Sequence, residues 1–259
     1  MEYGVCNLNI VAVRAFPSDK SEMASQLLFG EIFEIIEKDY TWIKIRMEYD
    51  KYEGWIDCKQ YLPIYADEFE KLRDFPPNIT MDIVQILINK TENSIMPIVI
   101  GSSIPYLVNN TFSIGKNEYT FDGQISEKNV PLPKQKIIEN AYMYIETPYL
   151  WGGRSPFGID CSGFTQMTHK LSGIRLKRDA AEQAEQGTLI NLLSEAEPGD
   201  LVFFDNDEGA IIHTGILLDD DRIIHASGKV RIDKIDHEGI FNVTLNKYSH
   251  KLRLIKRII

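Results

Sequence analysis

Ile159-Asp160-Cys161-Ser162-Gly163-Phe164 is the stretch on which the reading of this chain turns. Beyond it, Phe164, Met167, Thr168 and Leu171 recur at the i, i+3, i+4, i+7 spacing of one helix face, and Gly173 supplies a stop. The pattern predicts a helix over 162–171 with Cys161 at its N-terminus. A helix N-terminus carries partial positive charge and unsatisfied N–H groups. Both favour thiolate over thiol, and the thiolate is the nucleophile. The same N–H groups, that of Cys161 included, suit a tetrahedral oxyanion. A lone cysteine is more often an inert buried hydrophobe, so its partners decide the matter.

Two histidines qualify as partners. His213 opens the run His213-Thr214-Gly215-Ile216-Leu217-Leu218, and His225 lies in Arg222-Ile223-Ile224-His225-Ala226. The acidic stretch Asp219-Asp220-Asp221 between them reads as a hairpin turn. A hairpin symmetric about Asp219 sets His213 directly opposite His225, with Cβ atoms about 5 Å apart. His213 then serves as base toward the thiol, and His225 fixes its tautomer. His169, His237 and His250 lack such a setting and read as surface residues. One nearby cysteine and no close carboxylate spacing give little support for zinc, so no metal is expected.

Working outward, apolar residues at Ile137, Ile138, Ala141 and Ile145 predict a helix over 136–145. Strands are expected over 200–204, 213–218, 222–226 and 252–258. Helices followed by an antiparallel sheet make an α+β arrangement. Upstream the texture changes to short β-branched and aromatic runs with regular turns: Ile32-Phe33-Glu34-Ile35-Ile36, Trp42-Ile43-Lys44-Ile45 and Glu53-Gly54-Trp55-Ile56. That pattern indicates a small β-barrel or sandwich. Phe75-Pro76-Pro77-Asn78 reads as a linker. Strands follow over 83–88, 98–100, 106–108 and 118–121, with a turn at Asn109-Asn110. Pro131-Leu132-Pro133 opens the last region, giving boundaries of 1–75, 76–130 and 131–259.

Composition narrows the function classes. The 28 Lys and Arg against 38 Asp and Glu give a formal charge of −10. With no basic stripe, nucleic-acid binding is disfavoured, and so is adhesion to an anionic envelope surface. A small diffusible substrate is compatible with that charge. Cys6, Cys58 and Cys161 are too few and odd in number for a disulfide framework. Cys6 and Cys58 read as small buried hydrophobes. The first ten residues lack the features of a signal peptide, and no apolar run reaches the ~20 residues of a bilayer span. The chain reads as soluble and cytoplasmic, or as periplasmic or secreted if an export signal has been trimmed.

Two resemblances carry the reading further. Gln26-Leu27-Leu28-Phe29-Gly30-Glu31, Trp42 and Gly54-Trp55-Ile56 resemble a bacterial SH3-like domain, and 76–130 is expected to be a second, diverged one. Five C-terminal motifs fall in order: Tyr149-Leu150-Trp151-Gly152-Gly153, Asp160-Cys161-Ser162-Gly163-Phe164, Pro198-Gly199-Asp200-Leu201-Val202-Phe203-Phe204, His213-Thr214-Gly215-Ile216 and Ile224-His225-Ala226. Together they resemble the NlpC-type papain-like cysteine peptidases, which cut peptidoglycan peptides, usually between D-glutamate and the following diamino acid. The fold implied is an α+β papain-like (NlpC) catalytic domain preceded by two small all-β SH3-like barrels. The resemblance implies Cys161 as nucleophile, His213 as base, His225 as the third, polar member and Tyr149 as a hydroxyl facing the oxyanion, with no cofactor.

The arrangement is similar to one subgroup, the γ-D-glutamyl-L-diamino-acid endopeptidases, in which the first SH3-like domain admits only a free N-terminal L-Ala. That resemblance implies a murein peptide substrate and a site lined by Trp151, Asp160, Ser162, Arg178 and Asp179. Arg178 is expected to meet the D-Glu α-carboxylate with a bidentate fork. Glu22, with Tyr52 beside it, is the candidate partner of the substrate ammonium. The chain departs from the subgroup at Ala180, where a hydroxyl is usual, and at Thr214, where Val is usual. Three alternatives remain: an exported hydrolase of intact wall, a non-catalytic wall-binding module, and acyl transfer on lipid.

Overall fold

Alternation of apolar and polar residues builds the first half of the chain. In Ile10–Arg14 the side chains of Val11 and Val13 are buried, and in Trp42–Met47 those of Ile43, Ile45 and Met47. Period-two burial of this kind is what a strand with one covered face requires. In the computed structural model, residues 2–126, 134–243 and 245–259 are described; Pro131-Leu132-Pro133 lies outside them. The chain divides into two units, 1–129 and 130–259.

In the N-terminal unit a seven-stranded antiparallel sheet runs in the order Met23–Leu28, Ile10–Arg14, Glu53–Asp57, Trp42–Met47, Ile32–Asp39, Glu2–Val5, Leu62–Ile64. It wraps a core that includes Val11, Leu27, Phe33, Ile45 and Ile56. The three strands expected here from sequence are adjacent members of this sheet. A helix, Ala66–Asp74, precedes the Pro-Pro pair and was not expected; Phe69 and Leu72 are its buried residues in a highly charged run. A second, four-stranded sheet orders Ser94–Val99, Val84–Asn89, Asn117–Thr120, Thr111–Ile114. The expected strand over 106–108 is instead a turn. Asn109 and Asn110 make the turn that sequence indicated, both left-handed at φ 50° and 60°. Phe69 and Leu72 share one apolar cluster with Phe29, in the turn that follows Met23–Leu28, and Leu87, Phe112 and Tyr119 of the second sheet. Cys6 is buried but Cys58 is exposed, so the second does not behave as the small core residue expected.

For the C-terminal unit we label α1 (Lys134–Tyr142), α2 (Cys161–Leu171), α3 (Ala180–Gln183), β1 (Leu201–Asp205), β2 (Ile211–Asp219), β3 (Arg222–Ser227), β4 (Lys229–Ile235), β5 (Gly239–Asn242) and β6 (Lys247–Arg257). The strands pair antiparallel in the order β6-β1-β2-β3-β4-β5, and β5 also pairs with β6, so the sheet closes on itself. Closure leaves no ladder edge among these six. Val202, Phe204, Leu217, Ile223, Ile235, Ile240 and Ile255 fill one cluster inside it. β4 and β5 were not foreseen: the apolar residues of β4 are spaced among charges, and β5 is only four residues long.

Helix α2 departs from a one-faced helix in being buried all round. Several of its polar side chains are paired internally, while Thr168 Oγ1 has no hydrogen-bond partner among the described residues. Thr165 Oγ1 donates to Gln183 Oε1 at 2.7 Å, and Gln166 Oε1 accepts from Arg154 Nε at 2.8 Å. His169, expected at the surface, is fully buried with Nδ1 2.8 Å from the Thr165 carbonyl.

Candidate active site

Asp160 decides where Cys161 sits. It is the N-cap of α2, and its Oδ1 accepts the Gly163 N–H at 2.6 Å. Its Oδ2 accepts the Gly152 N–H at 2.8 Å, tying the helix start to the preceding loop. A Cβ at Gly163 would lie 2.2 Å from the Gly153 carbonyl oxygen. Glycine is what permits this approach, which accounts for the Gly-Gly and Cys-Ser-Gly motifs together.

Cys161 is 7% exposed at the first turn of α2. Backbone N–H groups of Thr214 and Ser162 are directed at its sulfur. Contact with Thr214 places the thiol beside the residue that follows His213 in β2. The helix terminus does not prevail over desolvation here. Burial first, and the Asp160 charge second, push the thiol up to about 12, against the pull of those N–H groups and of Arg178. The expected resting thiolate gives way to a thiol held in its protonated form.

His213 and His225 meet, but not in the register expected. The β2–β3 ladder pairs Gly215 with His225 and Leu217 with Ile223, and its bulge lies between Leu217 and Asp219. Asp219 is itself paired with Arg222, so the turn is Asp220-Asp221 and not centred on Asp219; His213 is therefore a diagonal neighbour of His225 on the same face. His213 Nε2 stands 2.7 Å from His225 Nδ1. His225 Nε2 in turn lies 3.0 Å from Asp233 Oδ2, and Arg231 donates to Asp233 Oδ1 at 2.7 Å. Asp233 and Arg231, both on β4, were missed by the sequence reading. Burial holds His213 well below the usual imidazole range, helped by the charges of His225 and His250. It lowers His225 as well, against the opposing pull of Asp233.

His250, also expected at the surface, stacks on His213 with ring centroids 4.1 Å apart and 23° between planes. The ring nitrogens of His213, His225 and His250 lie within 4.8 Å of one another, a grouping with the composition of a metal site. Two imidazole ligands of one tetrahedral zinc stand about 3.3 Å apart. The 2.7 Å contact of His213 with His225 is a hydrogen bond, and a shared ion would have to break it.

The remaining expected residues fall into two groups. Arg178 is buried at 1% exposure, with Nη1 donating to Asp160 Oδ1 (3.1 Å) and Ser162 Oγ (2.9 Å) and Nη2 to Asp160 Oδ2 (2.6 Å). The fork expected to grip a substrate carboxylate is thus engaged by the N-cap carboxylate. Tyr149 is half-buried, its hydroxyl pushed up to about 12 by burial and then by Cys161 and Asp160, so it remains a proton donor near the sulfur. Trp151 is 61% exposed beside the Gly152 turn, and Asp179 is exposed ahead of α3. Ala180 is buried, and Thr214 is fully buried with no partner for its hydroxyl among the described residues. Glu22 is exposed and Tyr52 packs partly buried against the first β-sheet core, both within the N-terminal unit.

Residues 146–248 match the NlpC/P60 family. The C-terminal unit thus carries an NlpC/P60 domain. Residues 13–60 match the bacterial dipeptidyl-peptidase Sh3 domain. The chain is 27% identical over 233 residues to a gamma-D-glutamyl-L-lysine dipeptidyl-peptidase of Bacillus cereus, covering 81% of this chain and 68% of that one. It is 28% identical over 255 residues to dipeptidyl-peptidase 6 of Lysinibacillus sphaericus, covering 86% and 88%. In fold it resembles the crystal structure of an NlpC/P60 family protein from Bacillus cereus, with a TM-score of 0.82 at 19% identity over 99% of each chain.

Proposed function

We propose that this protein cleaves the γ-D-Glu–diamino-acid bond of murein peptides bearing a free N-terminal L-Ala, in recycling of cell-wall peptides in the cytoplasm. The observation that carries the catalytic part is the buried imidazole pair, His213 Nε2 2.7 Å from His225 Nδ1, on the strand whose Thr214 N–H reaches the Cys161 sulfur. The substrate class is supported by the names of relatives aligned over most of this chain.

In this reading the Cys161 sulfur attacks the γ-carbonyl while its proton passes to His213. The carbonyl oxygen becomes an oxyanion facing the Cys161 N–H and the Tyr149 hydroxyl. Collapse breaks the C–N bond, the amine leaves with the proton from His213, and a thioester remains. Water, deprotonated by His213, then releases L-Ala-γ-D-Glu and restores the thiol. Exposed Trp151 and Asp179 contact the peptide; Asp160, Ser162 and Arg178 hold the nucleophile in place. Glu22 and Tyr52 are the residues we assign to the substrate ammonium, and 76–130 we read as a second SH3-like domain.

The test is mass-resolved hydrolysis of L-Ala-γ-D-Glu-diaminopimelate and its lysine analogue beside their N-acetylated twins, with Cys161→Ala as control. Cleavage of the free-amine peptides alone, lost in the variant, is the expected result. Equal cleavage of both twins would favour hydrolysis of intact wall instead, whose stem peptides begin as amides.

A further inference from the structure

Asp233 lies two residues beyond Arg231, which faces His225 directly across the β3–β4 ladder. Alternation therefore puts Asp233, Arg231 and His225 on one face. Asp233 is 6% exposed, and both carboxylate oxygens are engaged, Oδ2 by His225 and Oδ1 by Arg231. We propose that Asp233 is a positioning residue that fixes the tautomer of both histidines and so determines which nitrogen of His213 is basic. This rests on the peptidase reading of Cys161 and His213.

The argument is one of donors and acceptors. Burial alone would raise the Asp233 carboxyl, but the hydrogen bonds from His225 and Arg231 prevail and hold it below the ordinary carboxylate range. An ionised carboxylate only accepts, so His225 Nε2 must carry the proton. Burial keeps His225 neutral, which makes its Nδ1 an acceptor. His213 Nε2, 2.7 Å away, must then be the donor. With His213 neutral as well, its proton is placed on Nε2 and its lone pair on Nδ1. During attack the thiol proton moves from sulfur to Nδ1, the electron pair staying on sulfur. The imidazolium so formed keeps its Nε2–H on His225, with the negative charge of Asp233 beyond it.

Asparagine at 233 permits the reverse order. Its amide N–H donates to His225 Nε2, His225 Nδ1–H donates to His213 Nε2, and His213 then presents a proton instead of a lone pair. The deciding measurement on the unaltered protein is long-range 15N–1H correlation of the histidine rings. Protonation of both His213 and His225 at Nε2 alone is expected; protonation of His225 at Nδ1 would overturn the proposal. Asp233→Asn should lose at least about tenfold in kcat with KM within about twofold, and Asp233→Glu should recover part of it. A substrate-independent arm uses Cys58→Ser protein, which removes the exposed thiol, and follows iodoacetamide alkylation of Cys161. Alkylation should slow at least about tenfold in Asp233→Asn. Unchanged alkylation and kcat in that variant would sink the relay while leaving the peptidase reading intact. Expected tautomers and slowed alkylation, with no murein peptide cleaved by wild type, would support the relay and reject the substrate. Should Asp233→Asn fail to fold, the wild-type ring protonation alone decides.

Discussion

His225 faces Gly215 across the β2–β3 ladder, and a Cβ on Gly215 would lie 2.8 Å from that of His225. No side chain fits there without moving the histidine or the neighbouring strand; Ile224 O is 3.0 Å away on the same side. Gly215→Ala should therefore displace His225 from His213. The expected outcome is a loss of at least about tenfold in kcat and of about 1–3 kcal/mol in stability, checked by kinetics and urea melts on the same preparation. Full activity in this variant would show that the His213–His225 contact is dispensable.

Acid should act on activity and stability separately. His213 is held well below 6.5, by burial first and by His225 and His250 after it. The base thus stays neutral through mildly acidic pH, and the acid limb of kcat/KM should fall below pH 6.5. For stability, the unfolded chain protonates its histidines near 6.5, whereas burial lowers His169 to about 4 and lowers His250 to about 4. The unfolded state therefore takes up protons first. Stability is complete above about pH 6.5 and declines as pH falls toward 4, by about 3 kcal/mol from fully buried His169 alone. Denaturant melts at pH 7 and pH 4.5 measure this, and equal midpoints would contradict it.

Thr214 invites a gain. Its hydroxyl is buried and unpaired among the described residues, while its backbone N–H serves the Cys161 sulfur. Valine keeps the shape and the N–H and removes the unsatisfied oxygen. Thr214→Val should stabilise by about 1 kcal/mol with kcat/KM unchanged, read by thermal melting and peptide hydrolysis.

Arg178 distinguishes a substrate grip from a structural pair. Its guanidinium and the Asp160 carboxylate are 1% and 8% exposed and 2.6 Å apart. Arg178→Met leaves that carboxylate buried and unpaired, so a loss of about 3–5 kcal/mol is expected. A raised KM with an unaltered melting curve would restore the substrate role that the sequence suggested.

The position of Cys161 at a helix start and the meeting of His213 with His225 were legible because each depends on local pattern: a capped helix start at Asp160-Cys161, and two histidines flanking one turn. The register between them was not, since three successive aspartates do not show that Asp219 pairs with Arg222 and that the turn is Asp220-Asp221. The same construction would have succeeded one hairpin later. A turn centred on Gly228 pairs His225 with Arg231 and brings Asp233 to the same face, as observed. His250 was beyond reach, because it arrives from β6 through closure of the sheet, and closure is a long-range event. His169 looked like a surface residue because a polar side chain on a helix usually is; total burial of α2 by the elements around it overrode that. In the N-terminal unit the strands of the first sheet followed from alternation, whereas the helix Ala66–Asp74 offered just two apolar anchors, Phe69 and Leu72, among charges.

The stack of His250 on His213 bears on motion. One ring edge of His213 is tethered to His225 at 2.7 Å, one face is covered by His250 at 4.1 Å, and Phe204 stands at 5.7 Å. Rotation about its side-chain bonds would have to unseat two other aromatic rings. The imidazole is thereby a stationary proton acceptor, and the travel needed to bring acceptor, sulfur and carbonyl into line falls to the thiol rotamer and to the incoming peptide.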